Sequence, residues 1–159
     1  MKIIKPPSQL PFMKMEPIVF LAGTIEMGNS EDWQTIISSK LVHVEDGILL
    51  NPRRDTWDNS WGENSEELHA QIAWELQGQE LADIIVFNFE PGSTSIITML
   101  EYGLAMGWGN KKVAVRCEGY FRKTNIIQTS KVLGAEVEMV SSLVDLATWI
   151  EKECLAFYD

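Results

Sequence analysis

The chain has 159 residues, 45% of them hydrophobic and 23% charged, a balance that suits one domain with its own core. Thirteen Lys and Arg against 23 Asp and Glu leave a net charge of -10. No basic block is present to neutralise phosphates, so a nucleic acid polymer is not an expected partner. Two cysteines (Cys117, Cys154) are too few for a disulfide framework and cannot make a zinc site alone, and only two histidines (His43, His69) weaken any metal reading.

Residues 1–16 carry three lysines and three prolines and no long apolar run. They read as a peripheral extension of a single 1–159 domain, neither signal peptide nor membrane span, and the expected location is the cytoplasm. Pro17 to Gly23 is a short apolar run ending in glycine, the pattern of a buried parallel strand. Ser30 is positioned to cap a helix through Trp33, Ile36 and Ile37 to about Leu41. A second strand at Gly47 to Leu50 is stopped by Asn51-Pro52. Arg53 to Asn64, with Trp57, Trp61 and several Asp, Asn and Gly residues, reads as a long functional loop.

Leu68, Ile72, Leu76 and Leu81 fall near helical spacing between Ser65 and Leu81. Ala82 to Phe89 is the clearest strand, after which Pro91 to Ser95 turn the chain into a helix reaching about Trp108. A fourth strand at Lys111 to Cys117, a helix from about Thr124 to Leu133, a fifth strand at Val137 to Val140 and a helix from Ser142 to about Cys154 complete the chain. Strands alternating with helices predict a three-layer α/β/α domain, flavodoxin- or Rossmann-like, with a five-stranded, mostly parallel sheet. Such sheets bind ligands beyond the carboxyl ends of their strands, where strand order reverses. Gly23-Thr24-Ile25, Asn51 to Trp57 and Asn88 to Ser95 are therefore the candidate site segments.

Glu101 is the one ionisable carboxylate or base between Pro91 and Asn110. Its helical neighbours would be Ile97, Thr98, Leu104 and Ala105, a setting in which desolvation raises a carboxylate's pKa. The same glutamate could equally sit on a solvated helix edge or pair with an arginine. Glu75, in Trp74-Glu75-Leu76, is a second candidate, with plain helix surface as its alternative. Asp83, at a strand entry, reads more readily as structural than catalytic.

Five segments in order resemble the nucleoside 2-deoxyribosyltransferase superfamily, especially its smaller deoxyribosyltransferase-like branch. They are Val19-Phe20-Leu21-Ala22-Gly23-Thr24-Ile25, Leu50-Asn51-Pro52-Arg53-Arg54-Asp55-Thr56-Trp57, Gln71-Ile72-Ala73-Trp74-Glu75-Leu76, Ala82-Asp83-Ile84-Ile85-Val86 and Leu100-Glu101-Tyr102-Gly103-Leu104-Ala105. The resemblance implies that Glu101 is the nucleophile that attacks the sugar's anomeric carbon, Tyr102 standing where relatives carry leucine. It implies that Glu75 orients the base and handles its proton, and that Gly23 and Thr24 line the base pocket. By the same resemblance Asn125 reaches the sugar in a neighbouring subunit, so the protein would be a homo-oligomer with shared active sites. No cofactor is implied, and the partners would be a small nucleoside or nucleotide and a free base.

Relatives that transfer deoxyribose carry an aspartate six residues before the nucleophile; here that position is Ser95. With Ser93 and Thr94 at a helix start it offers either an anion site or a simple cap. This arrangement resembles relatives that hydrolyse nucleoside 5'-monophosphates. Asn51, Arg53, Trp57 and Asn88 complete the expected substrate-binding set. Arg53 and Arg54 could contact phosphate or a base edge, or brace their own loop through Asp55 or Asp58. Trp57 and Trp61 could cover the base or pack structurally. The readings that compete are a deoxyribosyltransferase, a nucleotide N-glycosidase on the same fold, and a nucleotide-binding module that releases no base.

Overall fold

The computed structural model describes residues 1–25 and 30–158. In chain order the elements are β1 (Lys2–Ile4), β2 (Ile18–Gly23), α1 (Trp33–Lys40), β3 (Ile48–Leu50), α2 (Glu66–Leu81), β4 (Ile84–Asn88), α3 (Ile96–Trp108), β5 (Lys112–Arg116), α4 (Lys123–Leu133), β6 (Val137–Val140) and α5 (Leu143–Leu155), followed by a 3-10 turn (Ala156–Tyr158). The sheet runs β1-β3-β2-β4-β5-β6, and every pairing is parallel. The α/β reading of the sequence is borne out, with six strands rather than five. The sixth is Lys2–Ile4, which pairs with Ile48–Leu50 at the sheet edge. Three residues in a lysine- and proline-rich segment give no periodic signal, so only the pairing reveals this strand.

Alternation along the strands sends successive side chains to opposite faces. Phe20, Leu50, Ile85, Phe87 and Val115 pack with Trp74 of α2, Tyr102 and Met106 of α3 and Ile126 of α4. Val19, Leu21, Leu49, Ile84, Val86 and Ala114 pack with Trp33 and Ile37 of α1 and Leu146 and Ile150 of α5. Three helices therefore cover one face and two the other. Burying each large side chain contributes about 1.5–3 kcal/mol, which makes the sheet a rigid support for what projects from its ends.

The helix ends follow local chemistry. Asp32, not Ser30, caps α1 by accepting from the Thr35 N–H; the Ser30 hydroxyl instead donates to the Thr24 carbonyl at 3.1 Å. Ser65 caps α2, with Glu66 and Glu67 placed favourably in its first turn. A Ser142–Asp145 capping box opens α5. Asp83 is structural: it accepts from the Ile18 N–H at 3.0 Å and pairs with Lys14.

Without its edge strand β1, the order is β3-β2-β4-β5-β6, the doubly wound pattern whose direction of winding reverses between β2 and β4. Gly23, Asn88 and Arg116 stand side by side across the carboxyl ends of β2, β4 and β5. A Cβ on Gly23 would lie 2.6 Å from both the Asn88 carbonyl oxygen and the Trp33 ring, so glycine is required where these elements close together. Among the described residues no helix is long and apolar enough to cross a membrane.

Candidate active site

Two groups of polar side chains are buried close to the β2/β4 reversal. The first lies between α2 and α3. Gln71, Glu75 and Gln79 are spaced by four residues and so share one side of α2, the side that meets α3. Gln79 Nε2 donates to Glu101 Oε1 at 2.6 Å, and Gln71 Nε2 donates to Glu75 Oε1 at 2.8 Å. Gln71 Nε2 also donates to the Pro52 carbonyl at 2.9 Å, tying the Asn51-Pro52 corner to the same row.

Glu101 is 8% exposed and turned inward, so the solvated-edge alternative does not hold. Burial pushes its pKa from 4.5 to about 8, with the nearby Glu75 charge adding to the rise and the Gln79 amide opposing it. Burial also raises Glu75, against the Gln71 hydrogen bond. The two carboxyl groups thus form a coupled pair that keeps a proton near neutral pH. Buried groups with such shifts are over-represented at functional sites.

The second group is a knot of hydroxyls at the start of α3. Ser95 Oγ lies 2.5 Å from Thr24 Oγ1 and 2.7 Å from Ser93 Oγ, and Ser93 Oγ also donates to the Glu90 carbonyl at 2.8 Å. Ser95 occupies the N-cap position of α3 but makes no side-chain cap bond. It is the one non-glycine residue with positive φ among the described residues, a conformation that costs about 1–2 kcal/mol and often accompanies function. Beside it, Asn88 is fully buried: its Nδ2 donates to Glu90 at 2.7 Å and its Oδ1 accepts from Arg116 at 2.8 Å.

The remaining expected residues divide. Gly23 and Thr24 line the reversal point, and the Thr24 carbonyl is held by the Trp33 indole N–H at 3.0 Å. Asn51 is buried, its side chain accepting from the Arg53 N–H at 2.9 Å. Arg53 bonds the Ser30 and Glu31 carbonyls and approaches Asp32 at 3.8 Å, so it braces the segment before α1. Trp57 sits edge-on to Trp61 and donates to Asn59, while Arg54 stacks over Trp61. Asn125 is exposed on the first turn of α4.

The partners Gln71, Gln79, Glu90 and Arg116 were not expected from the sequence. The repeat Gln71, Glu75, Gln79 was the available signal, since polar residues four apart mark one helix side.

Among the described residues no three His, Cys, Asp or Glu groups form a metal-holding cluster. A hollow of about 330 Å³ beside Met106, Lys111 and Glu136 lies at the amino ends of the strands, and another of about 270 Å³ borders Cys117, Lys123 and Met139. Neither is lined by Glu75 or Glu101, which lie in a tightly covered place away from these open hollows.

The structure is thus a doubly wound α/β domain with a buried carboxyl pair carried on two helices, α2 and α3. The family model described as nucleoside 2-deoxyribosyltransferase like matches residues 16–120. The chain belongs to that family. No curated protein matches the sequence. A solved structure of a conserved protein from Enterococcus faecalis V583 is similar in fold, with a TM-score of 0.63 at 14% identity, over 87% of this chain and 99% of that one.

Proposed function

We propose that the protein breaks the bond between a base and a 2-deoxyribose, with Glu101 as nucleophile, and passes the sugar to a second base. The observation that carries this reading is the buried Glu101–Glu75 pair, each carboxyl held by its own glutamine. The sequence around Glu101 resembles the family's nucleophile motif, with Tyr102 where relatives carry leucine, and the family match spans it.

In the productive state Glu101 is ionised and Glu75 holds the shared proton. The Gln79 donor favours that charge on Glu101, and the low-dielectric setting strengthens its attraction for an oxocarbenium-like sugar. A bond forms between a Glu101 oxygen and C1', while the C1'–N bond breaks and its electron pair passes to the base. Glu75 protonates or positions the departing base. An incoming base then attacks C1' of the sugar ester, its N–H proton passing to Glu75 as the C1'–O bond breaks and Glu101 leaves as the carboxylate, as retaining glycosidases do with water or an acceptor. The amide oxygens of Gln71 and Gln79 are buried without a protein partner, which leaves acceptors for a bound base or sugar. Thr24, Asn88 and Ser95 would border the substrate, with Gly23 allowing close approach. Asn51 and Arg53 would hold the corner from which Gln71 is braced, Trp57 would cover the base on closure, and Asn125 would serve a neighbouring copy's sugar.

The test is incubation with deoxyinosine or thymidine plus adenine, followed by chromatography of the products. New deoxyadenosine that disappears with Glu101→Ala supports the reading; full turnover by that variant removes it. Tight nucleoside binding without base release would identify a binding module instead.

A second reading, hydrolysis of deoxynucleoside 5'-monophosphates, is favoured by the Thr24–Ser93–Ser95 knot. Its hydroxyls stand at a helix start, where donors and the helix dipole suit an anion. Release of free base from monophosphates without an acceptor base distinguishes it.

A further inference from the structure

Gln71 is 3% exposed, and the protein alone decides which way its amide faces. A side-chain amide has two N–H donors and one acceptor oxygen. Both donors are engaged: Nε2 donates to the Pro52 carbonyl at 2.9 Å and to Glu75 Oε1 at 2.8 Å. Turning the amide over would set its oxygen against the Pro52 carbonyl, acceptor against acceptor. The anchor is firm, because the preceding Asn51 is buried and its N–H bonds the Ile4 carbonyl of the edge strand at 3.0 Å. The Gln71 oxygen is therefore held on the remaining side, buried and without a protein partner. An unmet buried acceptor costs about 1–3 kcal/mol, so this position is built for a donor from outside the chain.

The same hydrogen bond sorts the two oxygens of Glu75. Oε1 already receives a hydrogen from Gln71, so a proton on this carboxyl belongs on Oε2. Glu75 then offers an O–H donor. The Gln71 oxygen shares its carbon with the nitrogen that touches Glu75, so an acceptor stands beside that donor. Gln79 plays no part here: it holds Glu101, and its own unmet oxygen belongs to the sugar end of the site.

Purines divide sharply against such a pair. The proton that eases a purine's departure goes to N7, in the ring that carries the glycosidic nitrogen. The group next to N7 is the substituent on C6. Adenine shows an N7 acceptor beside an amino donor, whereas guanine shows two acceptors, N7 and O6. Hypoxanthine carries the same O6. With Glu75 addressing N7, the adenine amino group meets the Gln71 oxygen, and a 6-oxo base sets oxygen against oxygen.

We propose that Gln71 selects 6-aminopurines over 6-oxopurines, its fixed amide oxygen accepting from the exocyclic amino group while Glu75 donates to N7. This rests on the proposed function, which sets the base against Glu75. It goes further by naming the class of base and the residue that chooses it.

The test is calorimetric binding of free bases to the full chain at about pH 6, where the carboxyl pair keeps its proton. Adenine should bind about five- to a hundredfold more tightly than hypoxanthine, the discrimination that one good two-point contact gives. Replacing N7 by carbon, as in 7-deazaadenine, should cost a similar factor. Gln71→Met should bring adenine down to the affinity of hypoxanthine. A glutamine that only braced Pro52 would, when replaced, weaken both bases alike and leave their ratio unchanged. The wild-type titrations decide the matter even where Gln71→Met fails to fold.

Adenine and hypoxanthine bound within about twofold of each other by the wild type overturn the inference, as water filling the Gln71 position would give. An unchanged ratio in folded Gln71→Met, or no binding of either base at millimolar concentration, overturns it too. Base release from deoxynucleosides without this selectivity removes the role of Gln71 and leaves the proposed function standing. Selective binding with no base release supports Gln71 as the selector and counts against the proposed function alone.

Discussion

The two faces of the sheet solve different problems with the same strands. Beneath α1 and α5 the packing is mainly aliphatic, with Val19, Leu21, Val86, Leu146 and Ile150 fully buried. Beneath α2, α3 and α4 aromatic rings such as Phe20, Phe87, Phe89, Trp74 and Tyr102 pack among the aliphatic side chains, and Gln71, Glu75, Gln79 and Glu101 lie between α2 and α3. Among the described residues the first face has one polar anomaly, Gln34, whose amide is buried without a partner there. The second gathers charge where charge is costly. That difference teaches that one face provides stability and the other gives part of it up to hold two carboxyls away from water.

Variants that remove charge from the second face should break this division most visibly. Glu101→Gln should lower turnover at least about a thousandfold, the scale seen when a nucleophile is lost. The same variant should improve stability in alkali. A carboxyl whose pKa rises from 4.5 to about 8 on folding stabilises the fold fully below about pH 4.5, and that contribution is lost as pH rises through about 8. Urea titrations at pH 6 and pH 9 should therefore show a pH-dependent difference in the wild type that is smaller in Glu101→Gln. Glu75→Gln should cost about 10²–10⁴ in turnover through loss of the proton donor. It also removes the charge that raises Glu101, so in this variant the residual activity should rise as Glu101 ionises alone, with a midpoint below about 8.

The other face supplies the contrast. Ile150→Ala, in the aliphatic layer, should cost about 2–5 kcal/mol of stability, measured by urea unfolding, with kcat of the folded fraction and its pH profile intact. A large change in that pH profile would mean the two faces are not separable. Between these extremes lies Gln79→Leu. Removing the donor 2.6 Å from Glu101 should cost about 1–3 kcal/mol in the ionised state and move the pH midpoint upward, opposite to Glu75→Gln. Equal profiles for wild type and Gln79→Leu would reduce that glutamine to packing.

The sequence carried most of the sheet because buried parallel strands are written as continuous apolar runs. Ile84–Asn88 and Ile18–Gly23 were legible for that reason, and Val137–Val140 was found at the boundaries observed. The strand at Lys2–Ile4 was not, since three residues at a sheet edge have no pattern of their own. Glu101 stood out because its helix holds no other charge. Its burial and coupling to Glu75 depend on how α2 lies against α3, and single-helix periodicity carries no such information. For Arg53 the sequence left open a ligand contact or a brace within its own loop, and spacing could not show the bonds it makes to the Ser30 and Glu31 carbonyls, partners far away in sequence. Trp57 was likewise open between covering a base and structural packing, and it stands edge-on to Trp61.

The smallest expected effect bears on why Ser95 is a serine. At φ 46 and ψ 43 it holds a backbone shape that glycine adopts without strain. Ser95→Gly should therefore raise stability by about 0.5–1 kcal/mol, after glycine's greater freedom in the unfolded chain is set against the relieved strain. For a chain of this size that corresponds to a Tm increase of about 2–4 °C, readable by calorimetry. The hydroxyl closes the contact with Thr24 and Ser93 at the start of α3. If that knot receives a 5'-phosphate, Ser95→Gly should raise KM for deoxynucleoside monophosphates about tenfold more than for the matching nucleosides. An unchanged ratio would assign the serine to the architecture of the helix start and leave the carboxyl pair as the sole determinant of what this face accepts.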